Sequence, residues 1–283
     1  MKKNNVLIAG CGDVGSALGL ALLKQGRFNV WGLRRNPDRL PAGIYPVRGD
    51  LESASDLGDW PASIDYVVYC AAANERSEEG YHRAYTQGLS HVLQRISGDN
   101  YHPARIFFTS STSVYHQSSG EWVDETSETK PHSFAGQTML KAEAVLQAAS
   151  FPTTTVRFGG IYGPGRSRLI NRVKEGNGCF SSPAVYGNRI HRDDCAGILA
   201  HLIALDLQGQ PVKPLYLGVD HDPAPVYDVL QWLASQLKVT LHNEGSPPAR
   251  GNRRCSNKKI LVSGYRFIYP DYRQGYRSLL CDS

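Results

Sequence analysis

The chain has 283 residues, of which 41% are hydrophobic and 20% are charged. These values are ordinary for a globular protein and argue against a disordered one, and the length predicts one large domain or two coupled domains with a substantial core. The net charge of +5 suits an anionic small molecule as well as nucleic acid, so it decides little by itself.

Short apolar runs alternate with helical patterns along the chain. The runs that predict strands are 5–10, 28–33, 45–50, 65–73, 104–111, a strand beginning at 153, and 214–219. The patterns that predict helices follow Gly12 and then cover 78–96, 133–146 and 192–205. Near-continuous apolar strands in alternation with helices predict a parallel sheet that is covered on both faces.

The composition changes after Gly163, where Gly, Pro and Arg become common and predicted strands become rare. We therefore expect an α/β fold with a Rossmann-like, doubly wound parallel sheet formed by residues 1–163 and 189–220. Residues 164–188 and 221–283 are expected to form a smaller domain on the substrate side. A second domain placed at the carboxyl ends of the strands would cover the ligand.

The six cysteines predict reduced thiols in a cytoplasmic protein. They form no C-x-x-C pair and no Cys/His cluster with the spacing of zinc ligands, so we expect no disulfide and no metal. No apolar stretch is long enough to cross a membrane. An apolar run follows Lys3, but Asp13 interrupts it and no small-residue cleavage site follows, so we expect a soluble, unprocessed protein.

A G-x-G-x-x-G loop follows the first predicted strand and opens an amphipathic helix, the context in which this otherwise weak pattern predicts a dinucleotide site. Gly10 would permit the tight turn, Gly12 a close approach to the pyrophosphate, and Gly15 tight packing of helix on strand. The helix N-terminus supplies free N–H groups and the positive end of a dipole. The loop residues expected to bind the cofactor are Gly10, Cys11, Gly12, Asp13, Val14 and Gly15.

The end of the second predicted strand favours NADP over NAD. An NAD-specific fold usually places an acidic residue there, whereas this chain has Arg34 and Arg35. A guanidinium group pairs well with the oxygens of a 2′-phosphate. Asp50, at the end of the third predicted strand, is a candidate acceptor for the adenine amino group, or alternatively a turn-forming residue.

With these residues placed, the chain resembles the extended short-chain dehydrogenases/reductases of the NAD-dependent epimerase/dehydratase family over nearly its whole length. The stretches that carry the resemblance are GDL (49–51), YCAAA (69–73), TSSTSVYH (109–116), WVDET (122–126), RFGGIYGPG (157–165) and RIHRDDCA (189–196). One departure is the glycine loop, because extended members usually have G-x-x-G-x-x-G.

The resemblance implies a site for each of these stretches. Asp50 and Leu51 would contact the adenine, Ala71 and Ala72 the nicotinamide ribose, and Ser111 the reacting oxygen. The residues implied on the substrate side are Tyr162, Arg189 and His191. The resemblance further implies a small-molecule substrate, such as a sugar or a nucleotide sugar, and it is compatible with a homodimer.

A second departure concerns the Y-x-x-x-K motif of the family, whose Lys is typically followed by a Glu four residues later. The stretch SFAGQTMLKAEAVL (133–146) contains no Tyr and can be aligned with this motif in two ways. If Lys141 is the family Lys, Gln137 stands in the Tyr position. One catalytic partner then survives, and the catalytic set would be Ser111, Tyr115 and Lys141.

In the second alignment, Gly136 matches the Gly that commonly follows the Tyr, and Glu143 matches the later Glu. Ala135 then replaces the Tyr, and Met139 replaces the Lys and lies beside the cofactor. Lys141 lies about 200° around the helix from Met139 and points away from the ribose. We favour this alignment, in which the proton donor must come from elsewhere. The candidates are Tyr115, Tyr162, His132 and His191.

Three functions remain open from the sequence. The first is an NADP-dependent oxidoreductase or epimerase acting on a sugar, and the second is a non-catalytic NADP(H) sensor, as the missing Tyr would suggest. The third is nucleic-acid binding through ARGNRRCSNKK (249–259), which ranks last because no aromatic residue is interleaved in that run. The run is more simply a solvated loop, or Arg250, Arg253 or Arg254 in it could bind a substrate diphosphate.

Overall fold

The structure, a computed structural model, describes residues 3–247 and 251–281. The strands are β1 Asn4–Ala9, β2 Phe28–Arg34, β3 Tyr45–Arg48, β4 Tyr66–Tyr69, β5 Arg105–Ser111, β6 Glu121–Val123, β7 Thr153–Phe158, β8 Gly160–Tyr162, β9 Arg189–His191, β10 Leu215–Gly218 and β11 Arg253–Cys255. The α-helices are α1 Asp13–Lys24, α2 Glu78–Tyr81, α3 Gly88–Gly98, α4 Phe134–Gln147, α5 Arg168–Lys174, α6 Arg192–Leu207, α7 Val226–Leu237, α8 Lys258–Val262 and α9 Tyr272–Cys281.

Seven strands form one parallel sheet in the order β3-β2-β1-β4-β5-β7-β10, which confirms the predicted doubly wound α/β fold. The strands β6 with β11, and β8 with β9, form two small separate sheets. The chain leaves β1 toward one edge of the large sheet and returns through β4 toward the other edge. Ligands of open α/β sheets bind at such a reversal point, outside the carboxyl ends of the strands.

Strand β1 shows why the predicted strands are continuous apolar runs. Val6 and Ile8 pack in the cluster that contains α1 and α6, whereas Leu7 and Ala9 pack in the cluster that contains α3 and α4. All four side chains are fully buried. Because successive residues of a strand point to opposite faces, both faces require apolar residues, and each large side chain contributes roughly 1.5–3 kcal/mol of burial.

The predicted helix at 78–96 is longer and less regular than expected. It begins at Glu78, passes through π-helical turns over His82–Gln87, and ends at Gly98. Its N-terminus is capped by Ser77, whose hydroxyl accepts the N–H of Gly80 at 3.0 Å. The wider turns shift the residues that face the sheet, and they bring Ala84 and Tyr85 to the wall of the cleft described below.

A third apolar cluster packs α5, α7 and α9 together, in segments that were predicted to form the smaller domain. Within the same predicted segment, however, Ile260 and Tyr265 pack in the cluster beneath α1 and α6. Cys255 packs on the opposite face of the sheet. Cys255, Ile260 and Tyr265 therefore contribute to the core of the sheet. The division into two domains stays a prediction.

The described residues contain no helix that is long and apolar enough to cross a membrane. They also contain no cluster of three His, Cys, Asp or Glu side chains able to hold a metal ion. All six cysteines lie in the described ranges and carry free thiols.

Candidate functional site

A cleft of about 1370 Å³ lies at the carboxyl ends of the sheet strands. Its wall is formed by the loops that follow β1 to β5, by the first turns of α4, and by segments after β7 and before β9. Clefts for drug-sized ligands usually measure roughly 300–1,000 Å³, so this one has room for a dinucleotide and a second molecule.

The glycine-rich loop after β1 has the geometry that a pyrophosphate requires. Gly10 has φ of 85°, and a Cβ there would lie 2.5 Å from the Cα of Ala71, so only glycine fits. A Cβ on Gly12 would meet nothing closer than 4.0 Å, which leaves its cleft side open to a ligand. The N-cap of α1 is Gly12, which has no side chain to accept the N–H groups of the first turn, so these groups are available to a ligand. These residues fit a dinucleotide.

Not every residue of the loop reaches the cleft. Asp13 and Val14 line it, as do Gly10 and Gly12, but Cys11 and Gly15 do not. A Cβ on Gly15 would lie 3.0 Å from the side chain of Ile8, so this glycine serves helix–strand packing. The Cys11 side chain is buried in the core, where burial raises the pKa of its thiol to about 11. Cys11 and Gly15 therefore pack against the core of the protein and do not line the cleft.

The two arginines after β2 line the cleft next to this loop. Arg34 donates from Nη1 to the carbonyl oxygen of Cys11 at 3.2 Å, and Arg35 donates from Nη2 to Oδ1 of Asn74 at 2.6 Å. Within residues 3–247 and 251–281, no carboxylate forms an ion pair with either guanidinium. Asp50 and Leu51 line the same end, and Asp50 Oδ1 also accepts the N–H of Glu52, as a turn-forming residue would.

At the other end of the cleft, Ser111 is the last residue of β5 and lines the cleft together with Ala71, Ala72 and Met139. The Oγ of Ser111 accepts the N–H of Ser113 at 3.1 Å, which leaves its own O–H free to donate to a ligand oxygen. Ser111 therefore has the position and the free proton expected of a residue that binds a reacting oxygen.

Helix α4 places the residues of the two alignments on different sides. Ala135 and Met139 line the cleft, whereas Gln137 and Lys141 are exposed and do not. Gln137 Nε2 donates to the carbonyl oxygen of Pro131 instead. The structure thus places Ala135 and Met139 where the second alignment puts the Tyr and Lys of the family. Lys141, included in the predicted catalytic set, points away from the cleft because it lies about 200° around the helix from Met139.

A buried polar network lies behind this wall of the cleft. Glu143, one turn beyond Met139, accepts two hydrogen bonds from Arg157, at 2.9 and 2.7 Å, and one from Ser110 at 2.6 Å. The side chains of Glu143 and Arg157 are 4% and 7% exposed. A bidentate, buried pair of this kind holds α4 against β5 and β7, and removing one partner typically costs about 3–5 kcal/mol.

Tyr115 lines the cleft, but its hydroxyl belongs to this network. The hydroxyl donates to the carbonyl oxygen of Asp124 at 2.7 Å and accepts from Arg157 Nη1 at 2.9 Å. Burial raises the pKa of Tyr115 to about 12, and the nearby Arg157 offsets only part of that rise. Because the proton is held by Asp124, Tyr115 is poorly placed to act as the proton donor.

The three residues expected on the substrate side differ in position. Arg189 is buried and lines the cleft, and its Nη1 donates to the carbonyl oxygen of Gly187 at 2.9 Å. Tyr162 also lines the cleft, with its ring stacked on Tyr276 at 4.5 Å. His191 does not line it, because its Nδ1 accepts the N–H of Asp193 at 3.1 Å and caps α6 from within the core. Its position thus departs from the expected substrate contact.

The basic run 249–259 is largely folded into the protein, although Arg250 lies outside the described residues. Arg253 is buried and lines the cleft, and it donates from Nη1 to the carbonyl oxygen of Gln117. Arg254 is stacked between the rings of Trp122 and Tyr186, at 5.1 and 4.8 Å. The described part of the run, residues 251–259, therefore does not form one continuous exposed basic surface.

Some cleft residues were absent from the sequence prediction. His116 stands at the last position of the stretch that resembles S-S-x-x-V-Y-G and lines the cleft with His132, with 6.5 Å between the two ring centroids. A histidine in place of the expected glycine was the available signal. Arg166 lines the cleft from the loop after β8, and Tyr85 from the π-helical turns, and no sequence pattern pointed to either.

Comparisons with known proteins agree with this geometry. Residues 10–205 match a family model described as NAD(P)H-binding. Protein YeeZ of Escherichia coli (strain K12) is 31% identical over 289 aligned residues, which cover 96% of this chain and 97% of that protein. Short-chain dehydrogenase/reductase family 42E member 1 of Xenopus laevis is 28% identical over 249 residues, covering 77% of this chain but 62% of the frog protein.

Solved structures share the fold over the whole chain. A Methylobacillus flagellatus structure, reported as a candidate NAD-dependent epimerase/dehydratase, superposes with a TM-score of 0.82 at 39% identity, covering 99% of this chain and 98% of that one. The human epimerase family protein SDR39U1 with NADPH has a TM-score of 0.79 at 20% identity, covering 99% and 100%. The chain therefore belongs to the NAD(P)H-binding family, as an atypical member of the extended short-chain dehydrogenases/reductases of the epimerase/dehydratase type.

Proposed function

We propose that the protein is an NADP(H)-dependent oxidoreductase or epimerase-like enzyme that acts on a sugar or, as an anionic substrate, a nucleotide sugar. The observation that carries the proposal is a single cleft that joins four features: the glycine-rich loop, the arginine pair after β2, the free hydroxyl of Ser111, and buried cationic side chains at the far end. The nicotinamide cofactor would supply or accept a hydride.

The preference for NADP rests on Arg34 and Arg35. Both residues line the cleft beside the glycine-rich loop, and their guanidinium groups donate to neutral acceptors on Cys11 and Asn74. A 2′-phosphate would offer them charged acceptors in place of neutral ones, which strengthens each hydrogen bond. A bare ribose hydroxyl offers no such gain, so NAD would bind less tightly.

The anionic character of the substrate rests on Arg189 and Arg253. Both line the cleft and are buried, and burial lowers the pKa of Arg253 because the charged form loses hydration. Two buried cations favour a negatively charged ligand, such as a diphosphate. Structures with the same fold include MoeE5 with UDP-glucose and NAD, and a Bordetella bronchiseptica enzyme with NAD and UDP.

Reduction of a carbonyl group needs a proton as well as a hydride, and α4 offers no Tyr to supply it. Hydride addition to the carbon leaves an oxyanion, to which Ser111 would donate a hydrogen bond and which then takes up one proton. His116 and His132 are the histidines among the described residues that line the cleft. Histidine exchanges protons near neutral pH, and His116 Nε2 lies 3.9 Å from a carboxylate oxygen of Glu128. We assign the exchange to this pair.

Cofactor preference is tested first. The double variant Arg34→Ala/Arg35→Ala should raise the Kd for NADPH by roughly 10- to 100-fold, as expected for loss of charged phosphate contacts, and change the Kd for NADH little. Arg27→Ala is the matched control, because Arg27 is exposed and lies outside the cleft. Equal weakening of both cofactors, or tighter binding of NADH by the wild type, would contradict the NADP assignment.

Catalysis is tested separately with a panel of carbonyl compounds and sugar nucleotides. Oxidation of NADPH by any member, abolished in a His116→Ala/His132→Ala variant that still binds NADPH, would support the enzyme. Tight NADPH binding with no turnover across a broad panel would instead favour a sensor, which the replacement of Tyr and Lys by Ala135 and Met139 motivates.

A further inference from the structure

A cluster of ion pairs is formed by Asp13 of the glycine-rich loop, which lines the cleft, with two arginines. Arg166 Nε lies 2.7 Å from Oδ2 of Asp13, and Arg192 Nη1 lies 3.2 Å from Oδ1 of the same carboxylate. Asp13 is the first residue of α1, and it follows the open Gly12 directly. The cluster therefore lies at the helix terminus that the pyrophosphate of a dinucleotide would use.

The small β8–β9 sheet explains why both arginines reach one aspartate. Tyr162 pairs with His191 in parallel register, so the segments that follow the two strands emerge side by side. Gly163, with φ of 143°, starts the turn that leads to Arg166, whose N–H donates to the carbonyl oxygen of Gly163 at 3.0 Å. A Cβ on Gly163 would lie 3.0 Å from that of Arg192, so the turn packs directly on this residue.

The two arginines differ in what else they touch. Arg192 is held by Asp193 through two hydrogen bonds, at 3.0 and 2.8 Å, and it does not line the cleft. Arg166 lines the cleft, its side chain is 40% exposed, and its side-chain partner is Asp13. Arg166 can therefore leave Asp13 for an anion in the cleft, whereas Arg192 would remain on the aspartates.

We propose that Arg166 is a ligand for the pyrophosphate of the bound dinucleotide and exchanges Asp13 for phosphate oxygens when the cofactor enters. This inference rests on the proposed function, because it needs a dinucleotide in the cleft. It assigns a cofactor contact to a residue of the substrate-side segment, so that the bound cofactor ties this segment to the sheet.

The charges favour this exchange. A guanidinium group pairs with two phosphate oxygens at once, and a pyrophosphate carries more negative charge than one carboxylate. The Asp13 carboxylate interacts favourably with the helix N-terminus in the free protein. Once a pyrophosphate occupies that terminus, Asp13 repels it, and Arg192 remains to neutralise the aspartate. Asp13 therefore competes with the cofactor for Arg166.

The competition gives opposite signs for two variants. Arg166→Ala should raise the Kd for NADPH about tenfold or more, and a tenfold change corresponds to about 1.4 kcal/mol. Asp13→Asn should lower the Kd a few-fold, because it frees Arg166 and removes the repulsion. Arg273→Ala is the matched control, since it removes an ion-paired arginine, bonded to Asp222, that does not line the cleft, and it should change the Kd less than threefold.

A fragment separates this inference from the proposed function. Adenosine 2′-monophosphate carries the 2′-phosphate and lacks the pyrophosphate, so Arg166→Ala should leave its Kd unchanged while weakening NADPH. If the wild type binds NADPH but Arg166→Ala binds it equally well, or if Asp13→Asn weakens it, Arg166 is only a structural latch and the inference fails. If the wild type binds neither NADPH nor the fragment, the proposed function fails instead. Calorimetry with circular dichroism confirms that each variant is folded.

Discussion

Met139 faces the cleft on α4, whereas Lys141, two residues later on the same helix, is exposed on the other side. The helical period makes these positions mutually exclusive, because a step of two residues turns about 200°. At the position that the favoured alignment matches to the family Lys, this chain has the buried thioether of Met139, and Lys141 cannot reach the same side of α4 without unwinding of the helix. We therefore expect the wall of the cleft to lack a Tyr–Lys pair.

The first prediction compares two changes at this wall. Lys141→Ala removes an exposed charge outside the cleft, so cofactor binding and turnover should stay within twofold of the wild type. Ser111→Ala removes the free hydroxyl at the reacting end and should lower kcat by about 10²–10³-fold, the usual loss for a positioned donor. Both are measured in one NADPH-binding and turnover assay, with thermal unfolding as the check on folding.

A large loss from Lys141→Ala, with Ser111→Ala mild, would overturn the preferred alignment and restore Gln137 to the Tyr position. The complementary change is Ala135→Tyr with Met139→Lys. Because both positions line the cleft, the new pair would face the substrate, and reductase activity should rise if the cleft accommodates the larger side chains.

The second prediction uses two glycines of the cofactor loop that are required for different reasons. Gly12→Val points a branched side chain into open space, so the protein should fold normally and lose NADPH binding. Gly10→Ala instead puts a Cβ 2.5 Å from the Cα of Ala71 at a positive φ, so the protein itself should be destabilised.

Thermal unfolding and cofactor titration together separate the two effects. A folded Gly12→Val protein with normal NADPH affinity would show that the nucleotide lies elsewhere. An unchanged unfolding temperature for Gly10→Ala would show that the loop can move away from Ala71, contrary to its packing here.

The fold could be predicted because its signals are local and repeated. The central strands β1 and β4 are apolar runs buried on both faces, whereas the edge strand β3 buries only Val47. Helix α3 shows the helical signal, because its buried residues Leu89, Val92 and Ile96 recur at helical spacing. The glycine-rich loop could also be predicted, since Gly10 is required by a 2.5 Å approach to the backbone of Ala71 and Gly15 packs closely on Ile8. The pattern does not show which of its residues line the cleft, and Gly15 and Cys11 do not.

Other parts of the site depend on contacts between distant segments, which a pattern cannot show. Arg166 donates a hydrogen bond to Asp13, which lies 153 residues away in the chain. Arg157 donates one to the hydroxyl oxygen of Tyr115, which lies 42 residues away. A motif places Tyr115 near the cleft, but only its hydrogen bonds in the structure show that its hydroxyl proton is donated to the carbonyl oxygen of Asp124. The role of His191 likewise depends on its partners, because its ring accepts the N–H of Asp193 and caps α6. Sequence reasoning thus located the walls of the cleft better than the state of each side chain.

The last prediction concerns the pH dependence of stability at His191. Burial lowers the pKa of this histidine, with Arg192 lowering it further and Asp193 and Asp13 opposing the shift. The unfolded chain, with an ordinary pKa of about 6.5, then binds a proton more readily than the folded one. Stability from this group is therefore present above pH 6.5 and is lost as the pH falls below it, by at most about 1.4 kcal/mol per pH unit.

His191→Asn removes the titration but keeps a side-chain oxygen able to cap α6 at Asp193. Loss of the ring contacts with Tyr162 and Tyr269 changes the unfolding free energy of the variant by an amount that does not depend on pH. The slope of unfolding free energy against pH, measured between pH 7.5 and 5, should nevertheless be shallower in the variant. His201, whose pKa burial also lowers, contributes equally to both proteins and cancels in the comparison. Equal slopes would show that His191 takes up its proton in the folded state, against the buried environment found here.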